Sequence, residues 1–134
     1  MHAFNSLLGR IGLSAIFIVS GLGKLAAYAG TQQYMAAAGV PGFLLPLVIL
    51  IEVGGGMLIL AGAFTRATAI VLALFTLAAG ILFHANLADQ NQFIHLLKNI
   101  AIAGGFLTLA AHGPGPVSID ALRRKRAIGA AAIA

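Results

Sequence analysis

The sequence predicts an all-α integral membrane four-helix bundle with both termini cytoplasmic, and three observations carry that prediction. Charged residues make up 8% of the 134-residue chain and hydrophobic residues 60%, whereas soluble domains carry about 25% charge; the mean hydropathy is +1.02. The apolar residues gather into four stretches, each able to cross about 30 Å of hydrocarbon at a rise of about 1.5 Å per residue. Among the connections, lysine and arginine occur only in alternate ones, as the positive-inside rule requires.

The first span runs from Leu7 to Ala27, with Arg10 at its entrance, Lys24 near its exit and 13 uncharged residues between them. Ala27-Tyr28-Ala29 resembles a signal-peptide cleavage site. Lys24 interrupts the apolar run just before it, which favours a retained span. Gly30 to Gly42 is a polar, turn-rich connector holding Thr31, Gln32 and Gln33, with a short helical piece from Gln32 to Ala38, expected at the membrane interface. The second span follows from Phe43 to Phe64; Pro46 is tolerated in its first turn, where an N–H would have no helical partner.

Thr65-Arg66 reads as a very tight turn into a third span, Ala67 to His84, so these two spans form an antiparallel hairpin. Ala85 to Gln92 is a polar loop. The fourth span, Phe93 to Ala111, carries His95, Lys98 and Asn99 in its first turns and is ended by Gly113-Pro114-Gly115-Pro116. Ser118 can cap a short amphipathic segment ending in Arg123 to Arg126, beyond which the Ala-rich tail is expected to be loose. The organisation expected is a membrane domain at 1–116 and a basic cytoplasmic tail at 117–134.

The net charge of +5 is not a nucleic-acid footprint, because four of the eight Lys and Arg residues sit in that one cluster, where they mark topology. Arg10, Arg66 and the cluster all fall on the cytoplasmic side, and the two opposite loops hold no lysine or arginine. The bilayer is therefore the expected partner. The chain has no cysteine, which excludes thiol exchange, disulfides and cysteine-held iron–sulfur clusters from what it does alone.

Glu52 is the most informative residue, since it is the one charge in Phe43 to Phe64. A carboxylate near the centre of a span costs about 2.5–3.5 kcal/mol on insertion scales, so it is expected to face the bundle interior and a partner. Counting rise along the helices places Lys24 and Lys98 roughly 6–10 Å to its outer side. Glu52 shares a helix face with Gly55 and Gly56, and Lys24 shares one with Ser20 and Gly21; the Gly54-Gly55-Gly56 run reads as a close-packing surface, not a phosphate loop.

Three readings of the trio stay open. One buried ion pair can set helix register while the other lysine snorkels outward. Alternatively, two cations around one anion leave a net positive site for an anionic or electron-rich ligand, such as a quinone, a sulfur oxyanion or a lipid phosphate. The third is proton or ion movement, for which one carboxylate is a thin relay. The ligand-binding candidates are Ser20, Lys24, Glu52, His95, Lys98 and Asn99. His84, Asp89 and His95 gather near the second outer loop, but their spacing matches no compact metal signature, and no metal site is expected. Ala69 with Ala73 and Ala101 with Gly105 suggest close helix contacts, either within the chain or in a homo-oligomer.

Gly9-Arg10, Ser20 to Leu25, Gly39-Val40-Pro41, Glu52 with Gly55-Gly56, Gly62 before Thr65-Arg66, Lys98-Asn99, and Gly113-Pro114-Gly115 before Ser118-Ile119-Asp120 together resemble the DoxX family of four-span bacterial inner-membrane proteins. The resemblance covers nearly the whole chain. It implies an accessory or redox-linked subunit in the inner membrane, with quinone as the candidate cofactor and a soluble or membrane redox protein as the candidate partner. Any enzymatic role would lie within a quinone-linked oxidoreductase complex. The alternatives are a purely structural subunit, or a transporter, for which neither internal repeats nor paired half-helices are clear.

Overall fold

Apolar faces too long to be covered by one another dictate this architecture. The computed structural model describes residues 2–132, and the described residues are helical without strands. Six helices follow one another: α1 His2–Ala26, α2 Tyr28–Ala37, the composite α3 Gly42–Ala61, α4 Thr65–His84, α5 Gln90–His112 and α6 Ile119–Ala131. α1, α3, α4 and α5 are long and apolar enough to cross a membrane, and even the best-buried of them has only 33% of its apolar window buried. Their outer faces carry large apolar side chains such as Val19, Leu50 and Leu74, as lipid contact requires.

The core is narrow. Phe17 of α1, Ile59 of α3, Ala69, Leu72 and Ala73 of α4, and Ala103 and Phe106 of α5 form it, with Phe17 edge-to-face on Phe106 at 5.3 Å. Small residues set the approach of the helices. A Cβ on Gly56 would lie 3.2 Å from the Ser14 carbonyl and 2.8 Å from Ile18, and one on Gly55 would lie 2.9 Å from Leu72. The packing role read for this glycine run is therefore what Gly55 and Gly56 perform. α4 and α5 pair along their lengths, while α1 packs on α3.

α3 is not a uniform helix. It opens with a 3-10 turn at Gly42–Leu44, and one π turn, Leu50–Gly54, has Glu52 at its centre. Such insertions are uncommon and concentrate at functional positions. α2 lies against the end of α1 and the start of α3, where Gln32 donates to the Gly42 carbonyl at 3.2 Å.

Several boundaries differ from the sequence reading. The hairpin between the second and third spans turns at Gly62-Ala63-Phe64, not at Thr65-Arg66, because Gly62 adopts φ +66°. The Ala63 N–H returns to the Leu58 carbonyl at 3.0 Å, the closure that a left-handed residue permits at a helix end. α5 starts at Gln90, earlier than Phe93, since the Asp89 side chain accepts from the Asn91 and Gln92 N–H groups. The tail after Arg126 is helical up to Ala131, in keeping with the high helix propensity of alanine.

Arg10, read from the sequence as an entrance charge, is an interior residue with 1% exposure. It donates to the Leu60 carbonyl at 3.2 Å and to the Val117 carbonyl, tying α1 to the end of α3 and to the segment before α6. Asp120 completes the junction. Its two oxygens accept from the Phe64 and Thr65 N–H groups, each at 2.9 Å, and its own N–H donates to the Gly62 carbonyl.

Candidate intramembrane site

Ser20 and Lys24 lie one turn apart on α1, so their side chains stack along one face. The Lys24 ammonium donates to Ser20 Oγ at 2.6 Å and to Glu52 Oε1 at 2.9 Å, and Ser20 Oγ lies 3.3 Å from the same Oε1. Oε2 is also 2.9 Å from the ammonium but outside hydrogen-bonding geometry, so charge alone holds it. Gly21 makes this approach possible, since a Cβ there would sit 3.1 Å from Glu52 Cβ and 2.6 Å from Val53.

The Glu52 side chain is 8% exposed and that of Lys24 28%. The pair is thus buried at its anionic end and open at its cationic end. What it opens to is a cavity of about 430 Å³ bounded by α1 to α5. Phe17, Phe75 and Ile102 supply apolar wall, and Tyr34 of α2 stacks on Phe83 at 5.3 Å over the outer end.

The far wall carries a second polar pair. Thr76 of α4 donates to Asn99 Oδ1 of α5 at 3.1 Å, and Gly80 permits the contact because a Cβ on it would meet Asn99 Cβ at 3.0 Å. With Oδ1 so engaged, Asn99 Nδ2 has no protein acceptor among the described residues. His84 also lines the cavity. Its Nδ1 lies 2.6 Å from Gln92 Oε1, which favours the Nδ1-protonated tautomer, and its ring stacks on His95 at 4.9 Å.

Of the six candidates from the sequence, Ser20, Lys24, Glu52 and Asn99 line this cavity. His95 and Lys98 are exposed and do not. Of the two lysines read as possible partners of Glu52, Lys24 pairs with it, the single ion pair among the described residues, and Lys98 does not. Helix phase is the reason: Asn99, Ile102, Ala103 and Phe106 form the inward stripe of α5, and Lys98 falls beside it. No group of three or more metal-ligating side chains forms among the described residues; Asp89 caps α5. Thr76 was not singled out from the sequence. Thr76 was readable, since it continues the Ala69, Leu72, Ala73 stripe at helical spacing toward Gly80.

The DoxX family profile matches residues 6–85, the stretch holding Ser20, Lys24, Glu52 and Thr76. The chain belongs to the DoxX family. It is 54% identical over 120 residues to "Inner membrane protein YqjF" of Escherichia coli (strain K12), covering 90% of this chain and 92% of that one. It is 38% identical to "Inner membrane protein YphA" of the same organism, over 85% and 86% of the two chains. A relative from Bacillus subtilis (strain 168), "Putative oxidoreductase CatD", is 35% identical over 78% of this chain and 84% of its own. No solved structure matches. With four apolar helices of spanning length and these relatives, this DoxX protein is a multi-pass protein of the inner membrane.

Proposed function

We propose that this DoxX protein is an accessory, redox-linked membrane subunit whose cavity holds a quinone-like small molecule. The observation that carries the reading is a pair of donors on opposite walls of one apolar cavity. Lys24 has three N–H groups and two directed bonds, to Ser20 and Glu52, while Asn99 Nδ2 has none to protein among the described residues. A ring with an acceptor oxygen at each end uses both donors, and the aromatic walls cover its faces. The volume of about 430 Å³ falls in the range of about 300–1,000 Å³ usual for small-molecule sites.

The ion pair favours a neutral acceptor over an anion, since Glu52 already balances Lys24 and Lys98 points elsewhere. The name of the Bacillus subtilis relative, which calls it an oxidoreductase, agrees with a redox setting. Because the chain has no cysteine, electrons would be exchanged between the bound molecule and a partner protein. Organic extraction of the purified protein, with quinones quantified by mass spectrometry, tests the reading. Wild type should retain quinone and Lys24→Met and Asn99→Leu should each lose most of it; equal retention in all three refutes the reading.

A second reading is favoured by the ion pair itself. The contact joins α1 to the π turn of α3, so the charges can serve packing alone. Under it, the same variants lose stability and wild type carries no specific small molecule.

A further inference from the structure

A second cavity, of about 690 Å³, lies at the opposite end of the bundle between the start of α4, the Gly113–Pro116 turn and α6. Its polar lining comprises Arg66 from the first turn of α4, Arg124 and Asp120 from α6, Thr65, and His112 from the end of α5. We propose that it binds a phosphate group, presented by an anionic phospholipid headgroup or as free phosphate.

A complete charge inventory leads there. The chain has three Asp and Glu residues, and all are committed. Glu52 pairs with Lys24, Asp89 caps α5 on the other side of the bundle, and Asp120 spends both oxygens on the N–H groups that open α4. Among the described residues neither Arg66 nor Arg124 forms an ion pair. Asp120 lies in the same lining, yet two guanidinium groups outnumber it.

Position and chemistry then narrow the ligand. The cavity sits where the apolar span α4 begins and α5 ends, a boundary at which headgroup phosphates are expected. Planar guanidinium forks match phosphate oxygens two at a time, and the basic side of such a protein faces the leaflet whose anionic lipids attract it. The His112 Nδ1–H donates to the Thr108 carbonyl, 2.9 Å away, so Nε2 is the nitrogen free to face a ligand.

The test compares two double variants that remove the same charge. R66Q/R124Q alters the cavity; K125Q/R126Q alters only the neighbouring basic stretch. Each is purified with wild type, mixed with phosphatidylglycerol or phosphatidylcholine and analysed by native mass spectrometry, and parallel samples receive inorganic phosphate alone. Wild type should retain phosphatidylglycerol over phosphatidylcholine, R66Q/R124Q should lose that preference about tenfold, and K125Q/R126Q should keep it. Retention of inorganic phosphate with the same variant pattern, and no lipid preference, would assign the site to free phosphate. Equal losses in the two double variants, or none in either, would overturn the proposal. Arg124→Gln alone, on an exposed face of α6, should lower retention without touching the α3–α4 hairpin.

Discussion

Lys24→Met isolates the Glu52 carboxylate while nearly preserving side-chain volume. At 2.9 Å the gross Coulomb attraction is about 6 kcal/mol at an effective dielectric of about 20, most of it offset by desolvation. Breaking a fully buried pair costs about 3–5 kcal/mol, because one charge is left without compensation. The Lys24 side chain is 28% exposed, so screening reduces the expected loss to about 2–3 kcal/mol. For a chain of this size that corresponds to a fall in Tm of about 6–12 °C. The chain has neither tryptophan nor cysteine, so helix content followed by circular dichroism during heating is the assay. Glu52→Gln should lose less, since it leaves a polar amide and a cation with access to water, and Lys24→Met/Glu52→Gln should recover part of the loss. If both single variants melt within 2 °C of wild type by this criterion, or the double variant loses the sum of the two, the pair does not hold α1 to α3.

Lys98→Met should leave both Tm and small-molecule retention unchanged, while Asn99→Leu should lower retention, measured by extraction of the purified proteins. Gly62→Ala should destabilise strongly in thermal melts, by about 2 kcal/mol or more, since its Cβ would lie 2.1 Å from Arg10 Nη1 at φ +66°. Burial raises the Asp120 pKa, but hydrogen bonds from Thr65 and Phe64 and the nearby Arg123 more than offset it, leaving the group below its ordinary value of 3.8. Its contribution to stability is thus present above pH 3.8 and lost as pH falls through the lower folded value. Asp120→Asn should flatten that acid limb in melts collected across pH.

Much of this was readable from residue order, and the failures share a cause. Span number, the interior placement of Glu52 and its contact with Lys24 follow from hydropathy, from the cost of a charge in lipid and from axial distance. Axial counting has no azimuth, so Lys98 looked equivalent to Lys24 although the Asn99 to Phe106 stripe turns it outward. Arg10 was hidden differently. Its guanidinium meets backbone carbonyls of Leu60 and Val117, which no pattern of side chains announces. The hairpin was displaced because Thr65-Arg66 is polar, whereas the φ value of Gly62 decides where the chain reverses.

Asp120 also imposes an order of events on biosynthesis. The N–H groups of Phe64 and Thr65 receive their acceptor from a residue 55 or 56 positions later in the chain. Until that residue leaves the ribosome, the entry to α4 is uncapped and Arg10 lacks its Val117 carbonyl. The four spans can insert in sequence, but the cytoplasmic junction among the first, second and third closes only after the fourth has been made. A nascent chain stopped between His112 and Asp120 would hold every span yet remain unlatched, a state that limited proteolysis of stalled ribosomes would distinguish from the finished protein.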